Sequence, residues 1–248
     1  MGYSMKSQLK RALRSFGFDI IRYTDMPDRP FDVLKLLVER RIAAGQGMRF
    51  IQIGANDGVR NDPIRNLVVR HQLSGILVEP LPDLFARLQA NYEGHAGVRF
   101  EQCAIGDQDG QAVLYRVRGD PGLPEWLQTI ASFNKRHLSS QRFGIRGLER
   151  HIVAVIVPVL TLTSLLRKHN MSGCDLLQVD TEGYDCRIVQ SAIHAGLRPA
   201  IINYEFIHTD PVERARCKRV LADHGYAFLD VGRDTLAVHE DQQERERG

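Results

Sequence analysis

No G-x-G-x-x-G turn occurs in this chain, and no run of apolar residues is long enough to cross a membrane. The first absence argues against a dinucleotide cofactor, whose pyrophosphate needs that glycine spacing against a helix start. For the second, the longest apolar run, Ile152–Leu160, is interrupted by Pro158 and falls far short of a span. The basic N-terminus has no unbroken apolar core before Asp19, so no signal peptide is expected. Cysteines are few: Cys103, Cys174, Cys186 and Cys217, with no C-x-x-C pair among them. Reduced structural thiols in a cytoplasmic protein fit that pattern, and a zinc site would need closer ligands. Charge of either sign is not in excess. The net value of +3 is too small to point to nucleic acid, and none is expected as a partner. Internal repeats and low-complexity blocks are also missing.

What remains is an ordinary globular composition, 43% hydrophobic and 25% charged, over 248 residues. That length suffices for one α/β domain with a large core. Its most informative stretch is Phe50-Ile-Gln-Ile-Gly-Ala-Asn-Asp-Gly58, followed by Gly75-Ile-Leu-Val-Glu79. A β-type run breaks into a glycine turn, a helix follows, and a second apolar run ends on one acid. This is the nucleotide half-site of a doubly wound sheet. The looser spacing Gly54-x-x-x-Gly58 suits a cofactor without phosphate, such as S-adenosylmethionine (SAM).

Periodicity predicts the rest. A helix over 6–18 carries Leu9, Leu13 and Phe16 on one face and basic residues around it. It reads as docked on the domain or, less favoured, as resting weakly on an anionic membrane. Residues 1–47 form an N-terminal helical extension whose second helix runs from Phe31 to about Ala44. The main domain is 48–239, and 240–248 is a polar tail. Within the domain, strands are expected at 49–53, 75–78, 98–104, 112–117, 152–160, 176–179, 200–204, 227–230 and 235–239, with helices between most of them. The last strand follows a tight turn, so it must run antiparallel to its neighbour. Residues 118–150, irregular and holding the sole tryptophan, Trp126, read as an acceptor-side insertion or lid.

Six segments in this order resemble the FkbM family of SAM-dependent methyltransferases. They are Phe50–Gly58, Leu77-Val-Glu-Pro80, Cys103-Ala-Ile-Gly-Asp-Gln-Asp-Gly110, Thr161-Leu-Thr163, Leu176-Leu-Gln-Val-Asp-Thr-Glu-Gly-Tyr-Asp185 and Ile201-Ile-Asn-Tyr-Glu205. Ile130-Ala-Ser-Phe-Asn-Lys135 adds a seventh. The resemblance implies a class I methyltransferase, Rossmann-like α/β fold. It has a mostly parallel seven-stranded sheet, one antiparallel strand near its end, and helices on both faces. It also implies methyl transfer from SAM, typically to a hydroxyl of a sugar, glycan or polyketide-type molecule. Many relatives carry an acid where this chain has Gln52, which can hydrogen-bond but adds no charge.

The residues fill these roles as follows. Gln52, Gly54, Ala55, Asn56 and Gly58 form the floor under the methionine part of the cofactor. Glu79 takes the two ribose hydroxyls with its two oxygens. Ala104, Ile105 and Asp107 border the adenine, although Asp107 serves equally as a turn residue. Asp180 and Glu182 follow a buried strand at the carboxyl edge, where ligands sit in open sheets, and both are expected to bind the cofactor, with Asp180 also catalytic beside the reacting methyl. Glu205 and His208 face the acceptor, with His208 as general base beside Asp180. Packing alone explains His208 as well. Asp62 reaches the acceptor cleft or caps the next helix. Ser132, Asn134, Lys135 and His137 touch the acceptor or form an unspecific polar lid. Asp180, Glu205 and His208 are also a reasonable ligand set for a divalent ion, but nothing in their spacing demands one, and no metal is expected. Two rival readings are a nucleotide-sugar or NAD enzyme and a non-catalytic binder on the same scaffold. The first predicts the missing glycine turn; the second predicts loss of Glu79, Asp180 and Glu205.

Overall fold

A computed structural model describes residues 32–240. The helix over 6–18, its membrane contact and the tail 241–248 lie outside the described residues.

In the central sheet, β1 (Phe50–Ile53), β2 (Gly75–Val78), β8 (Leu176–Val179) and β9 (Ile201–Glu205) are buried along their whole length. Burial on both faces is why these segments read as continuous apolar runs rather than alternating ones. Ile51, Ile53, Ile76 and Val78 point into one core, with the helices Leu162–Lys168, Asp185–His194 and Pro211–Asp223. Phe50 and Leu77 point into the other, with the helices Val33–Ala43 and Arg65–His71. Pro82–Asn91 adds Leu88 to that second core.

Together with β3 (Val98–Glu101), β10 (Tyr226–Val231) and β11 (Asp234–His239), these strands make a seven-stranded sheet ordered β10-β11-β9-β8-β1-β2-β3. β11 alone runs against the rest, pairing antiparallel with both β9 and β10. This is the class I methyltransferase arrangement. The mostly parallel sheet with one reversed strand near its end is as expected.

One boundary differs. The expected strand 98–104 stops at Glu101, and Ala104–Ile105 (β4) belongs to a second sheet. The chain turns at Gln102–Cys103 so that Ala104 and Ile105 pair in parallel with Val159 and Leu160 of β7 (Ile152–Leu160). β5 (Gly110–Val117) pairs antiparallel with β7 along its full length, and β6 (Ala131–Ser132) adds to the β5 edge. Residues 118–150 therefore leave and re-enter the sheet at one rung, where Arg118 N donates to His151 O at 2.8 Å. The segment is not a bare loop. Val117, Leu127, Ile130, Leu138 and Leu148 form its own small core.

All four cysteines are buried and free. Among the described residues no helix is long and apolar enough to cross a membrane.

Candidate active site

A cleft of about 740 Å³ opens at the carboxyl ends of β1, β2 and β8, under the 118–150 segment. Of the residues expected there, Gln52, Gly54, Ala55, Asn56, Asp62, Glu79, Ala104, Ile105, Asp180, Glu182 and His208 line it. Gly58, Asp107, Ser132 and Glu205 do not.

The glycine turn has two separate uses. Gly54 has φ +80°, and a Cβ there would lie 1.8 Å from the Asp180 carbonyl oxygen. Its bareness lets the ends of β1 and β8 meet, which differs from the expected clearance for a ligand. At Gly58 a Cβ would lie 2.5 Å from Leu88 and 2.7 Å from Tyr92. That residue packs the turn on a helix and lies away from the cleft. Between them Asn56 sits at φ +54°. Its N–H donates to Glu79 Oε2 at 2.9 Å, and its side chain donates to Thr129 O at 3.2 Å in the lid.

Glu79 is buried and accepts a second backbone hydrogen bond, from Leu81 N at 2.9 Å. Each oxygen thus keeps a free lone pair for a ligand. Burial outweighs these bonds and pushes the carboxyl up to about 7.

Beyond β8, Asp180 N donates to Ile53 O at 2.9 Å and its side chain opens into the cleft. Although Asp180 is open to the cleft, partial desolvation by the groups around its carboxyl, then the charges of Glu205, Asp185, Glu182 and Asp234, raise its pKa well above the ordinary carboxylate range. Glu182 follows at φ +56°, an unusual backbone state for a residue with a side chain. The loop is held there by Asp185, which accepts from Thr181 N, Thr181 Oγ1 and Gly183 N, each at 3.0 Å.

The lid grips this loop. Ser132 Oγ and His137 Nδ1 both donate to Glu182 O at 2.9 Å. Arg142 Nη2 lies 2.6 Å from Glu182 Oε2 and donates to His208 Nε2 at 2.6 Å. Ser132 therefore anchors the lid rather than facing an acceptor. Asp107 is likewise engaged, accepting from Tyr184 Oη at 2.9 Å outside the cleft. Arg142→Met leaves a half-buried carboxylate unpaired, which costs about 1–3 kcal/mol. Limited proteolysis is expected to cut this variant within 118–150 before the central sheet. Unchanged resistance and stability would show that the clamp holds nothing.

Glu205 is buried beneath His208, with Oε2 3.3 Å from His208 Nε2 and Oε1 3.0 Å from Arg233. Glu182 Oε2 is 3.4 Å from the same nitrogen. The side chains close enough together to share a cation are Glu182, Glu205 and His208, not the set of Asp180, Glu205 and His208 weighed above, and Arg142 and Arg233 are the neighbouring positive charges. Since Arg142 donates to Nε2, that nitrogen must be the bare one. Burial, then Arg142, Arg233 and His137, press the imidazole down to about 3. A group so reluctant to take a proton is a poor general base near neutrality, which corrects the role expected for His208.

The same groups set a pH signature. Glu79 at about 7 and Glu205 at about 8 hold protons in the fold that an unfolded chain releases near 4.5. The folded state binds more protons between pH 4.5 and these values, so stability falls across that window and levels off above about 8. His208, held at about 3, acts the other way, but only between 3 and 6.5. The melting temperature of the ligand-free protein should therefore drop between pH 6.5 and 8.5, and Glu205→Gln should flatten the upper part of that drop. A melting temperature that is level or rising over that range would contradict these assignments.

Sequence reasoning missed Asp185 and Arg142. Asp185 carried a signal, an acid at a helix start two residues after Gly183. Arg142 carried none, since its partners lie 40 and 66 residues further along the chain.

A curated relative, the 2-O-methyltransferase NoeI of Sinorhizobium fredii (strain NBRC 101917 / NGR234), is 26% identical over 161 residues, or 64% of this chain and 61% of that protein. The chain thus spans about three fifths of that relative's length. Among solved structures, methyltransferase FkbM from Methylobacillus flagellatus KT is 11% identical, covers 78% of this chain and 44% of its own, and superposes with a TM-score of 0.48. The human methyltransferase 10 domain containing protein is 14% identical, covers 94% of each chain and gives 0.43. The methyltransferase FkbM domain profile matches residues 52–228. With that match over most of its length, the chain belongs to the FkbM family of methyltransferases.

Proposed function

We propose that the protein transfers a methyl group from SAM to a hydroxyl oxygen of a sugar, glycan or polyketide-type small molecule. One observation carries this reading: β2 and β8, the neighbours of β1, each end on an acid that opens into one cleft, Glu79 on one side of Gly54 and Asp180 on the other.

The residues present fit the cofactor. Glu79 offers paired acceptors for a ribose diol. Gln52 Oε1 and Asp62 Oδ2 are buried acceptors without a partner and suit an ammonium group. Bound SAM supplies an electrophilic methyl on a sulfonium centre. The chain's own residues supply the rest. Glu79 and the turn from Gly54 to Asn56 orient the cofactor. The lid, with Trp126 and Phe143 stacked edge to face at 5.6 Å, covers the acceptor and offers an apolar surface to it. Asp180, in its ionised form, receives the hydroxyl proton; partial desolvation and its acidic neighbours raise its pKa above the ordinary carboxylate range, which makes it a stronger base than a free carboxylate. Most of the acceleration comes from positioning, because the displacement needs the oxygen in line with the methyl. The O-methyl reading is supported by the name of NoeI, a 2-O-methyltransferase.

Thermal stabilisation tests the cofactor. SAM and S-adenosylhomocysteine should raise the melting temperature, and NAD should not. Mass spectrometry of sugar and polyketide-type hydroxyl acceptors incubated with SAM then tests the transfer. Stabilisation by NAD alone would favour the dehydrogenase-type reading; stabilisation by none would favour a scaffold without chemistry.

A further inference from the structure

Gln52 sits on β1 with 3% of its surface exposed, and its Oε1 has no hydrogen-bond partner. Asp62, beyond the glycine turn, presents Oδ2 beside it; this oxygen meets no donor in full hydrogen-bond geometry, and the neighbouring Gln52 side chain only partly offsets the burial of the carboxylate. Both residues line the cleft. The other oxygen of Asp62 is committed, accepting from Ile64 N at 2.9 Å and Arg65 N at 2.8 Å, and this fixes the carboxylate in place. Arg65 acts on the carboxylate electrostatically but makes no ion pair with it. It spends its guanidinium on Gly58 O at 3.0 Å, on Asn91 O at 2.9 Å and over the Tyr92 ring. Unpaired buried acceptors are costly, and two at one end of a cleft call for a ligand rich in donors. A primary ammonium has three N–H donors and a positive charge, and it matches a carboxylate set beside an amide oxygen.

We infer that Asp62 binds the ammonium of the cofactor's amino-acid part and supplies there the negative charge that Gln52 lacks. This rests on the SAM reading above and moves Asp62 from the acceptor to the cofactor. Burial raises the Asp62 pKa, as befits a carboxylate whose counter-charge arrives with its ligand.

Calorimetric titration of the full chain tests this with two ligands, SAM and 5′-methylthioadenosine, which keeps the adenosine and thioether but has no ammonium. Asp62→Asn removes the charge and keeps a capping oxygen for Ile64 and Arg65. The variant is expected to bind SAM about 10- to 100-fold more weakly, the scale of a lost charged hydrogen bond. Its affinity for 5′-methylthioadenosine should stay within about twofold, below the scale of one neutral hydrogen bond. Adding Gln52→Glu to Asp62→Asn should recover SAM binding by restoring a carboxylate. Should Asp62→Asn fail to fold, Asp62→Ser, another capping residue, carries the same comparison. Unchanged SAM affinity overturns the inference, and so does an equal loss for both ligands, which would mark Asp62 as a helix cap only. Wild-type protein that binds 5′-methylthioadenosine as tightly as SAM also overturns it but leaves the adenosine site standing. Wild-type protein that binds neither overturns the cofactor reading and this inference with it.

Discussion

Asp180→Asn is expected to lower kcat by about 10²–10⁴-fold, the range for loss of a positioned proton acceptor. The substitution is nearly isosteric. The backbone bond from residue 180 to Ile53 O and the contact with Gly54 involve main chain only, so both survive. What is lost is a carboxylate raised by partial desolvation and by four acidic neighbours. Affinity for SAM should change by only a few fold, about 1 kcal/mol or less. With SAM saturating, so that Glu79 does not contribute, the acid limb of kcat/KM for the acceptor is assigned to Asp180 and should vanish in the variant. His208→Ala should cost less, because its nitrogen already accepts from Arg142 and takes up a proton only near 3. If Asp180→Asn keeps most of its turnover on a true acceptor, the proton leaves by another route, and Glu205 is the next residue to test.

Glu79→Gln should weaken SAM binding by about 10- to 100-fold, the cost of losing hydrogen bonds to a charged acceptor. The wild-type protein adds a diagnostic. Ribose hydroxyls donate best to the ionised carboxylate, yet Glu79 in the ligand-free cleft holds its proton up to about pH 7. Binding below that pH must expel the proton. Affinity is therefore expected to fall about tenfold per pH unit below 7 and to level off above it, whereas the Gln variant should show no such slope. Part of its loss is structural, because the amide cannot accept from both Leu81 N and Asn56 N, and Asn56 at φ +54° needs its anchor. A melting curve separates that part from the loss of the ligand contact. A pH-independent wild type that binds as tightly as the variant would remove Glu79 from the ribose site.

The part of the cleft around Gly54 and Glu79 was legible in the sequence as a geometry because it is local. A strand, a glycine turn and an acid at the next strand end lie within 30 residues, and each has one geometry that the backbone permits. At Gly54 the bareness serves the approach of the β8 end, since a Cβ there would meet the Asp180 carbonyl oxygen. The family resemblance was legible for the same reason, as an order of short strand-end motifs. The part under the 118–150 segment was not. Ser132, Arg142, Glu182, Glu205 and His208 meet through side chains from three distant segments, and no periodicity encodes that meeting. Where β3 ends was also hidden. Val98–Ala104 has the composition of one strand, and only pairing with β7 divides it between two sheets.

The position of β11 has a consequence for how the chain is made. Residues 234–239 come last of the described strands, yet they lie inside the sheet, between β9 and β10. Until they leave the ribosome, the row of Ile201, Ile202, Asn203, Tyr204 and Glu205 is an open sheet edge, and β10 has no neighbour. An unpaired apolar edge is a template for wrong partners. A chain cut just before Asp234 therefore exposes this edge, and residues 234–239 are what close it.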